Sequence, residues 1–381
     1  MISKEIVVKS DFPNITQKEI IKKICEERKC LNAFVSPFKR YGYSGANLLL
    51  IFFNEEPVGL PYILKIAQKC DIEKEYAAIK IMRNFVTDCR LEIDKRFFQN
   101  DRGGLLFLHR GTDQPQKADE VLTLSNVLFS NKEGYTMGRL KSIINEVYEK
   151  LENAHTGHEP GIVNVSQHFK KYFRGHKSEK RIQSVLGTHS NEGYFEFLGA
   201  SIYNPLKLIK EMPSRIRVYK GHIHGDLHPG NVVLGRTKVP NLIDFAWAEP
   251  CKDILIDYVL LESSIRFMHF PQIANLDEQL FVDRCLLEED GYNPILAKNF
   301  SNTNIKHLYH KLAEMLKIIR NRAKKHLGDN FTIERYLFVQ FIILYGLLRF
   351  EKYNQYITTR ALGMISKRLK NNSLSTLDAK A

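Results

Sequence analysis

His224-Gly225-Asp226-Leu227-His228-Pro229-Gly230-Asn231, followed by Leu242-Ile243-Asp244-Phe245, brings a carboxylate, a carboxamide and a second carboxylate into one short stretch. Asp226 and Asn231 share one loop. Beyond them come an apolar run (Val232, Val233, Leu234), a polar turn from Gly235 to Pro240 and a second apolar run (Leu242, Ile243). Apolar runs bounded by glycine and proline read as strand, tight turn, strand. Folding that hairpin back brings Asp244 beside Asn231.

These residue types suit one chemistry. A γ-phosphoryl group carries dense negative charge, and its transfer is helped mainly by positioning and charge neutralisation. Magnesium is a hard ion that takes oxygen ligands. Asp244 offers an anionic oxygen to bridge metal and phosphates. Asn231 offers a neutral one, so the site does not become too negative to admit ATP. Asp226 is placed to accept a hydrogen bond from an attacking hydroxyl or to take its proton. His224 reads as a residue that packs or hydrogen-bonds the loop, and His228 either faces the acceptor or caps the turn. Asp and Asn also serve turn chemistry in Gly/Pro-rich loops, so the weight rests on the whole string.

The string resembles the catalytic and metal loops of the aminoglycoside phosphotransferase and choline kinase superfamily. The resemblance implies an α+β, bilobal, protein-kinase-like fold, with a small antiparallel-sheet N-lobe and a large, mostly helical C-lobe. It implies Asp226 as catalytic base, and Asn231 and Asp244 as magnesium ligands. His-Gly-Asp in place of the protein kinases' His-Arg-Asp, and Ile243-Asp-Phe-Ala246 in place of Asp-Phe-Gly, point to the small-molecule side. Asp257-Tyr258 is similar to the family's Asp-Leu-Ala element, with Asp257 a structural carboxylate.

The upstream half carries a matching nucleotide pattern. Gly42 and Gly45, with Ser44 between them, allow a tight turn whose exposed amides admit a triphosphate. Lys65 sits inside the apolar strand Tyr62-Ile-Leu-Lys-Ile-Ala67. An uncompensated ammonium there is costly, so Lys65 either snorkels to solvent or meets a carboxylate. The helical segment that follows offers Glu73 and Glu75. Glu75 immediately precedes the buried stripe of Tyr76, Ile79 and Met82 or Phe85, which selects it as the partner that holds Lys65 on the phosphates. Arg102-Gly-Gly-Leu-Leu-Phe-Leu-His109 lies where the resemblance places the interlobe linker, with adenine meeting the backbone near Leu108.

Composition narrows the class. With 381 residues, 44% of them hydrophobic, the chain has enough material for two lobes and a sizeable core. Leu337 to Leu348, the most apolar stretch, is too short for a membrane span and is broken by Gln340, so it reads as a buried helix. Six scattered cysteines without a Cys-x-x-Cys pair, and no signal-peptide pattern at the N-terminus, point to a reducing, cytoplasmic compartment. The net charge of +13 fits either an anionic ligand or nucleic acid, and it suits a polycationic aminoglycoside poorly. Two basic runs stand out, 168–181 and 306–326; the first interleaves aromatics with cations, as single-strand binders do.

Along the chain we expect an N-terminal helix from Gln17 to Arg28 capped by Thr16, an N-lobe over residues 1–110 and a C-lobe over 111–381. A helix runs from Gly138 to Asn153, and an irregular, basic segment at 161–200 reads as an insertion over the acceptor cleft. The leading function is magnesium-dependent transfer of the ATP γ-phosphoryl group to a hydroxyl, with a small molecule as acceptor. The competing readings are a kinase or nucleotidyltransferase acting on a protein or tRNA in a bacterial toxin or defence setting, and a non-catalytic nucleotide-binding module.

Overall fold

Asn14 opens the first helix, Ile15–Arg28. Its side chain accepts from the Gln17 amide at 2.9 Å, while Gln17 Oε1 accepts from the Asn14 amide at 3.0 Å. This reciprocal box satisfies two otherwise orphaned donors, which is why the helix starts two residues before the expected Gln17 and is capped by Asn14 instead of Thr16. The computed structural model of the chain describes residues 7–9, 14–38, 46–54, 58–86, 88, 91–92, 94–108, 116–117, 121–130, 134–156, 159–174, 176–235, 237–271, 273 and 275–372. The chain is α+β, as expected, and divides into two compact units. The first comprises residues 1–132, 146–154 and 224–249, the second 133–145, 155–223 and 250–381.

In the first unit, six strands form one sheet in the order Val7–Lys9, Asn32–Pro37, Asn47–Phe53, Tyr62–Gln68, Arg102–Leu108, Phe97–Gln99. The first pair is parallel and the other pairings are antiparallel. Ile20, Ile21 and Ile24 of the first helix share a buried cluster with Val35, Ile51, Leu64 and Ile66 of the sheet. A Cβ on Gly104 would stand 2.8 Å from Ile20 Cγ2, so glycine lets helix and strand approach this closely. Side chains alternate across a strand. With Leu64 and Ile66 in the cluster, Lys65 between them points to the opposite face.

The second unit is mostly helical. Its hub is Glu262 on the helix Leu255–Ser264, a carboxylate with no exposed surface. It accepts from Arg320 Nε and Nη2 at 3.0 and 2.9 Å, from Tyr336 Oη at 2.8 Å and from Gln340 Nε2 at 2.9 Å. Burial raises its pKa, but Arg320, Arg266 and Tyr336 together outweigh burial and hold the carboxyl down at about 2. In the helix Ile333–Leu347 every residue but Glu334 is buried; no described helix is long and apolar enough to cross a membrane. Asp257 is fully buried, with Oδ2 at 3.0 Å from His155 Nε2.

Residues 161–200 depart from the irregular segment expected. They carry the end of the strand Glu159–Asn164, the helices Val165–His168 and Lys177–Leu186, and the strand Tyr194–Phe197. Ser178, Ile182 and Leu186 give the second helix a buried stripe at a spacing of four, a periodicity hidden under the charge. In the same region Phe169 and Tyr172 are core residues, 0% and 4% exposed. The other basic run is also partly internal. Lys311 and Arg320 are buried, Arg322 donates to Asn145 at 2.9 Å, and Lys324 is paired with Glu289.

The folded pKa of Glu262 lies below its ordinary 4.5, so its contribution to stability is present above pH 4.5 and is lost as pH falls towards 2. Glu262→Gln should therefore cost on the order of 3 kcal/mol at neutral pH, at about 1.4 kcal/mol per pKa unit. The same variant should flatten the acid limb of the urea-unfolding midpoint plotted against pH. An acid limb identical to the parent's would remove Glu262 from this role.

Candidate active site

Lys65 Nζ reaches Glu75 Oε2 at 2.6 Å and is also bonded to Asp244 Oδ1. All three side chains are buried, at 4%, 0% and 6% exposure. Of the three acids on the helix Lys69–Met82, Glu75 faces the strand, and Asp71 and Glu73 are exposed. Burial alone pulls the lysine pKa down, but Glu75 and then Asp244 together push it up by more, so the net shift is upward and favours the charged ammonium.

Asp244 owes its place to the hairpin. Val232–Leu234 pairs antiparallel with Pro240–Leu242, Val232 opposite Leu242. The ladder continues with the Ile243 amide donating to the Asn231 carbonyl at 3.1 Å. Asp244 is thus one residue past the rung that holds Asn231. Its backbone is left-handed, φ 68° and ψ 64°, a conformation that Asp tolerates better than most residues and that concentrates at functional sites. The turn that follows, Phe245–Trp247, packs against the helix that carries Glu75.

The Asp226 loop is tied down from both ends. Gly225, at φ 74°, supplies the left-handed step between His224 and Asp226. His224 is fully buried; its Nε2 lies 3.0 Å from the Ile243 carbonyl and its Nδ1 accepts from the Asp226 amide at 3.3 Å. Those partners put the proton on Nε2. Its ring packs on Phe245 at 4.6 Å between centroids. His228 caps the turn Pro229–Asn231 by accepting from the Gly230 amide at 3.1 Å, and its Nε2 sits 3.9 Å from Asp226 Oδ2. Of the two roles left open for His228, the cap on the turn is the one observed. Asn231 Nδ2 donates to the Asp226 carbonyl at 2.8 Å and lies 3.3 Å from Asp226 Oδ2. Asp226 itself keeps a side-chain exposure of 25%.

Lys65, Glu75, Asp226, Asn231 and Asp244 therefore lie in one compact unit. Leu108 ends the strand Arg102–Leu108, paired with Tyr62. Gly42, Ser44 and Gly45 lie outside the described residues. The hairpin has a further anchor outside the sequence motifs. Asp88, its side chain 4% exposed, accepts from the Leu242 amide at 2.9 Å through Oδ2 and meets Lys150 at 2.9 Å through Oδ1. It pins the end of the hairpin strand that leads to Asp244. Nothing in the apolar periodicity marks it, because its partners are 62 and 154 residues away.

The donors suit a hard cation, since Asp244 and Asn231 bring oxygens of different charge. Among the described residues no three His, Cys, Asp or Glu side chains form a metal-holding group. A cation here would take one carboxylate and one amide oxygen, with its other ligands from water and phosphate, as magnesium ordinarily does. It would share Asp244 with Lys65.

A family model described as ternary complex associated domain 9 matches residues 163–330. Several solved structures resemble the chain. A putative fructosamine-3-kinase from Haemophilus somnus 129PT aligns over 93% of this chain and 98% of its own, at 13% identity and a TM-score of 0.42. Choline kinase LicA from Streptococcus pneumoniae aligns over 87% and 99%, at 14% identity and 0.35. Aminoglycoside phosphotransferase APH(4)-Ia, in a ternary complex with AMP-PNP and hygromycin B, aligns over 85% and 98%, at 13% identity and 0.39. No curated protein matches the chain. At these identities and scores the likenesses assign no chemistry to this chain, and the roles rest on its own side chains.

Asp88→Ala would leave the Leu242 amide without its acceptor and Lys150 without its counter-ion. A buried donor stripped of a charged partner costs about 2–3 kcal/mol. We expect a matching fall in unfolding free energy, together with faster hydrogen exchange at the Leu242 amide. Unchanged exchange there would show that the hairpin is held by other contacts.

Proposed function

We propose that the first unit binds magnesium and ATP and transfers the γ-phosphoryl group to a hydroxyl of a small molecule. The observation that carries this reading is the buried Lys65 ammonium held between Glu75 and Asp244. A structural ion pair needs one carboxylate; here a second one, on a left-handed turn beside Asn231, competes for the same ammonium. Magnesium taken by Asp244 and Asn231 would relieve that competition and turn Lys65 towards phosphate oxygens, with Glu75 holding it in place. Asp226 would orient the acceptor hydroxyl or accept its proton. The amides at Gly42, Ser44 and Gly45 and the backbone near Leu108 complete the nucleotide site in this proposal.

The acceptor is assigned as small because the case for nucleic acid has weakened. Of the three aromatics in the 168–181 run, Phe169 and Tyr172 are buried and Phe173 is half-buried. A cytoplasmic setting, where ATP is abundant and thiols stay reduced, belongs to the same proposal.

Calorimetry with ATP, with and without magnesium, is the first test. Binding should require the metal, and Asp244→Ala should abolish that requirement along with the binding. Asp226→Ala should still bind nucleotide while turnover, read as ADP release over a panel of hydroxyl compounds, falls about 10³-fold, the scale of a lost general base. Metal-independent binding, or full turnover by Asp226→Ala, would overturn the assignment.

A further inference from the structure

The second unit encloses a cavity of about 140 Å³. One wall is the segment Ile265–His269, wound as a π-helix directly after Leu255–Ser264. Such turns are rare and recur at functional sites. The opposite wall comes from the helix Gln355–Asn372, through Thr358 and Arg360.

Arg360 has no exposed surface. Its Nη2 donates to Asp283 Oδ2 at 2.8 Å and lies 3.3 Å from Gln279 Oε1. Its Nε and Nη1 are buried without any acceptor. The Tyr309 and Thr358 hydroxyls, which line the same cavity, are buried without partners too. Unmatched buried donors are costly and scarce in folded proteins. Three such side chains gathered on one cavity call for a guest that brings acceptors.

The walls define that guest. Arg266 is held by Glu262 and Asp283 and Arg360 shares Asp283, but Arg360 alone keeps two unmatched guanidinium donors towards this wall, so the guest is an anion. Phe267, Met268, Ile273, Val282, Leu312 and Ile357 make the remaining walls largely apolar, so it has a hydrophobic body. A cavity of about 150 Å³ is enough for benzene. A dianionic phosphate would have no apolar part for these walls and would meet Asp283. Lys352 is exposed, which gives the cavity a cationic edge towards solvent. We propose that this cavity is a binding site for a small carboxylate with a ring-sized apolar body, its carboxylate oxygens accepting from Arg360, Tyr309 and Thr358.

The full chain is titrated with sodium benzoate at constant ionic strength, and in parallel with benzyl alcohol and inorganic phosphate, by calorimetry and thermal unfolding. Benzoate should bind saturably and raise Tm, with the uncharged alcohol about tenfold weaker or worse, the effect of one lost charge-assisted hydrogen bond. Arg360→Lys keeps a cation for Asp283 but removes the guanidinium donors, and should weaken benzoate by a similar factor. Should that variant fail to fold, Thr358→Val decides. It removes an unmatched hydroxyl, so it should raise Tm of the ligand-free protein and weaken benzoate, two shifts of opposite benefit that a merely structural threonine would not give. No saturable benzoate binding would mean that the cavity holds water alone and would overturn the proposal. So would phosphate binding in its place, equal binding of the alcohol, or unaltered benzoate affinity in the folded variants.

Discussion

A charged lysine in the middle of a sheet is the constraint on which the first unit turns. Lys65 is flanked in its strand by Leu64 and Ile66, which belong to the apolar core, and an ammonium desolvated there would cost several kcal/mol unless paired. One carboxylate would satisfy it. With both Glu75 and Asp244 on the same ammonium, the three groups carry a formal charge of −1, and Asp226 adds another negative charge close by in sequence. An excess of negative charge in a partly buried cluster favours a divalent cation, and a cation in turn makes room for phosphates. In the proposed function, the arrangement that satisfies the buried ammonium of Lys65 is also the one that would hold the metal nucleotide.

Placement of Asp244 depends on backbone more than on side chains. A one-residue slip in the pairing of Val232–Leu234 with Pro240–Leu242 would move every side chain to the other face. The register is fixed instead by the Ile243 to Asn231 rung, by His224 on the Ile243 carbonyl and by Asp88 on the Leu242 amide. Two left-handed residues, Gly225 and Asp244, begin the two turns that present the acidic groups. Where a side chain must be held in an unfavoured backbone conformation, the neighbours have to over-determine it, and these three anchors do so.

What the sequence made legible was local. The cost of an ammonium inside an apolar strand called for a partner to Lys65, helical spacing separated Glu75 from Glu73, and the hairpin signals brought Asp244 to Asn231. Helix Met137–His155 exceeds the expected Gly138 to Asn153 by only a residue or two at each end. The failures share a cause. Asp88, Glu262 and Arg360 are defined by partners far along the chain, and periodicity reports which face a residue lies on without saying what it meets there. The 161–200 segment was obscured differently: its charged residues masked a buried stripe of small and apolar side chains at helical spacing.

The same distinction reshapes the meaning of the +13 charge. A formal count treats every cation as if it faced solvent, yet Lys311, Arg320, Arg335 and Arg360 are buried. Arg320, Arg335 and Arg360 are each tied to a carboxylate, Glu262, Asp253 and Asp283 respectively. A buried pair contributes little to the field that steers a ligand from solution, since its opposite charges are close together. Each such pair withdraws one cation and one anion, so the net excess of +13 is unchanged; what burial alters is which particular cations face solvent. Specificity has to be sought in the side chains that line the sites, where Arg360 shows how a cation counted as surface charge serves instead as a buried donor.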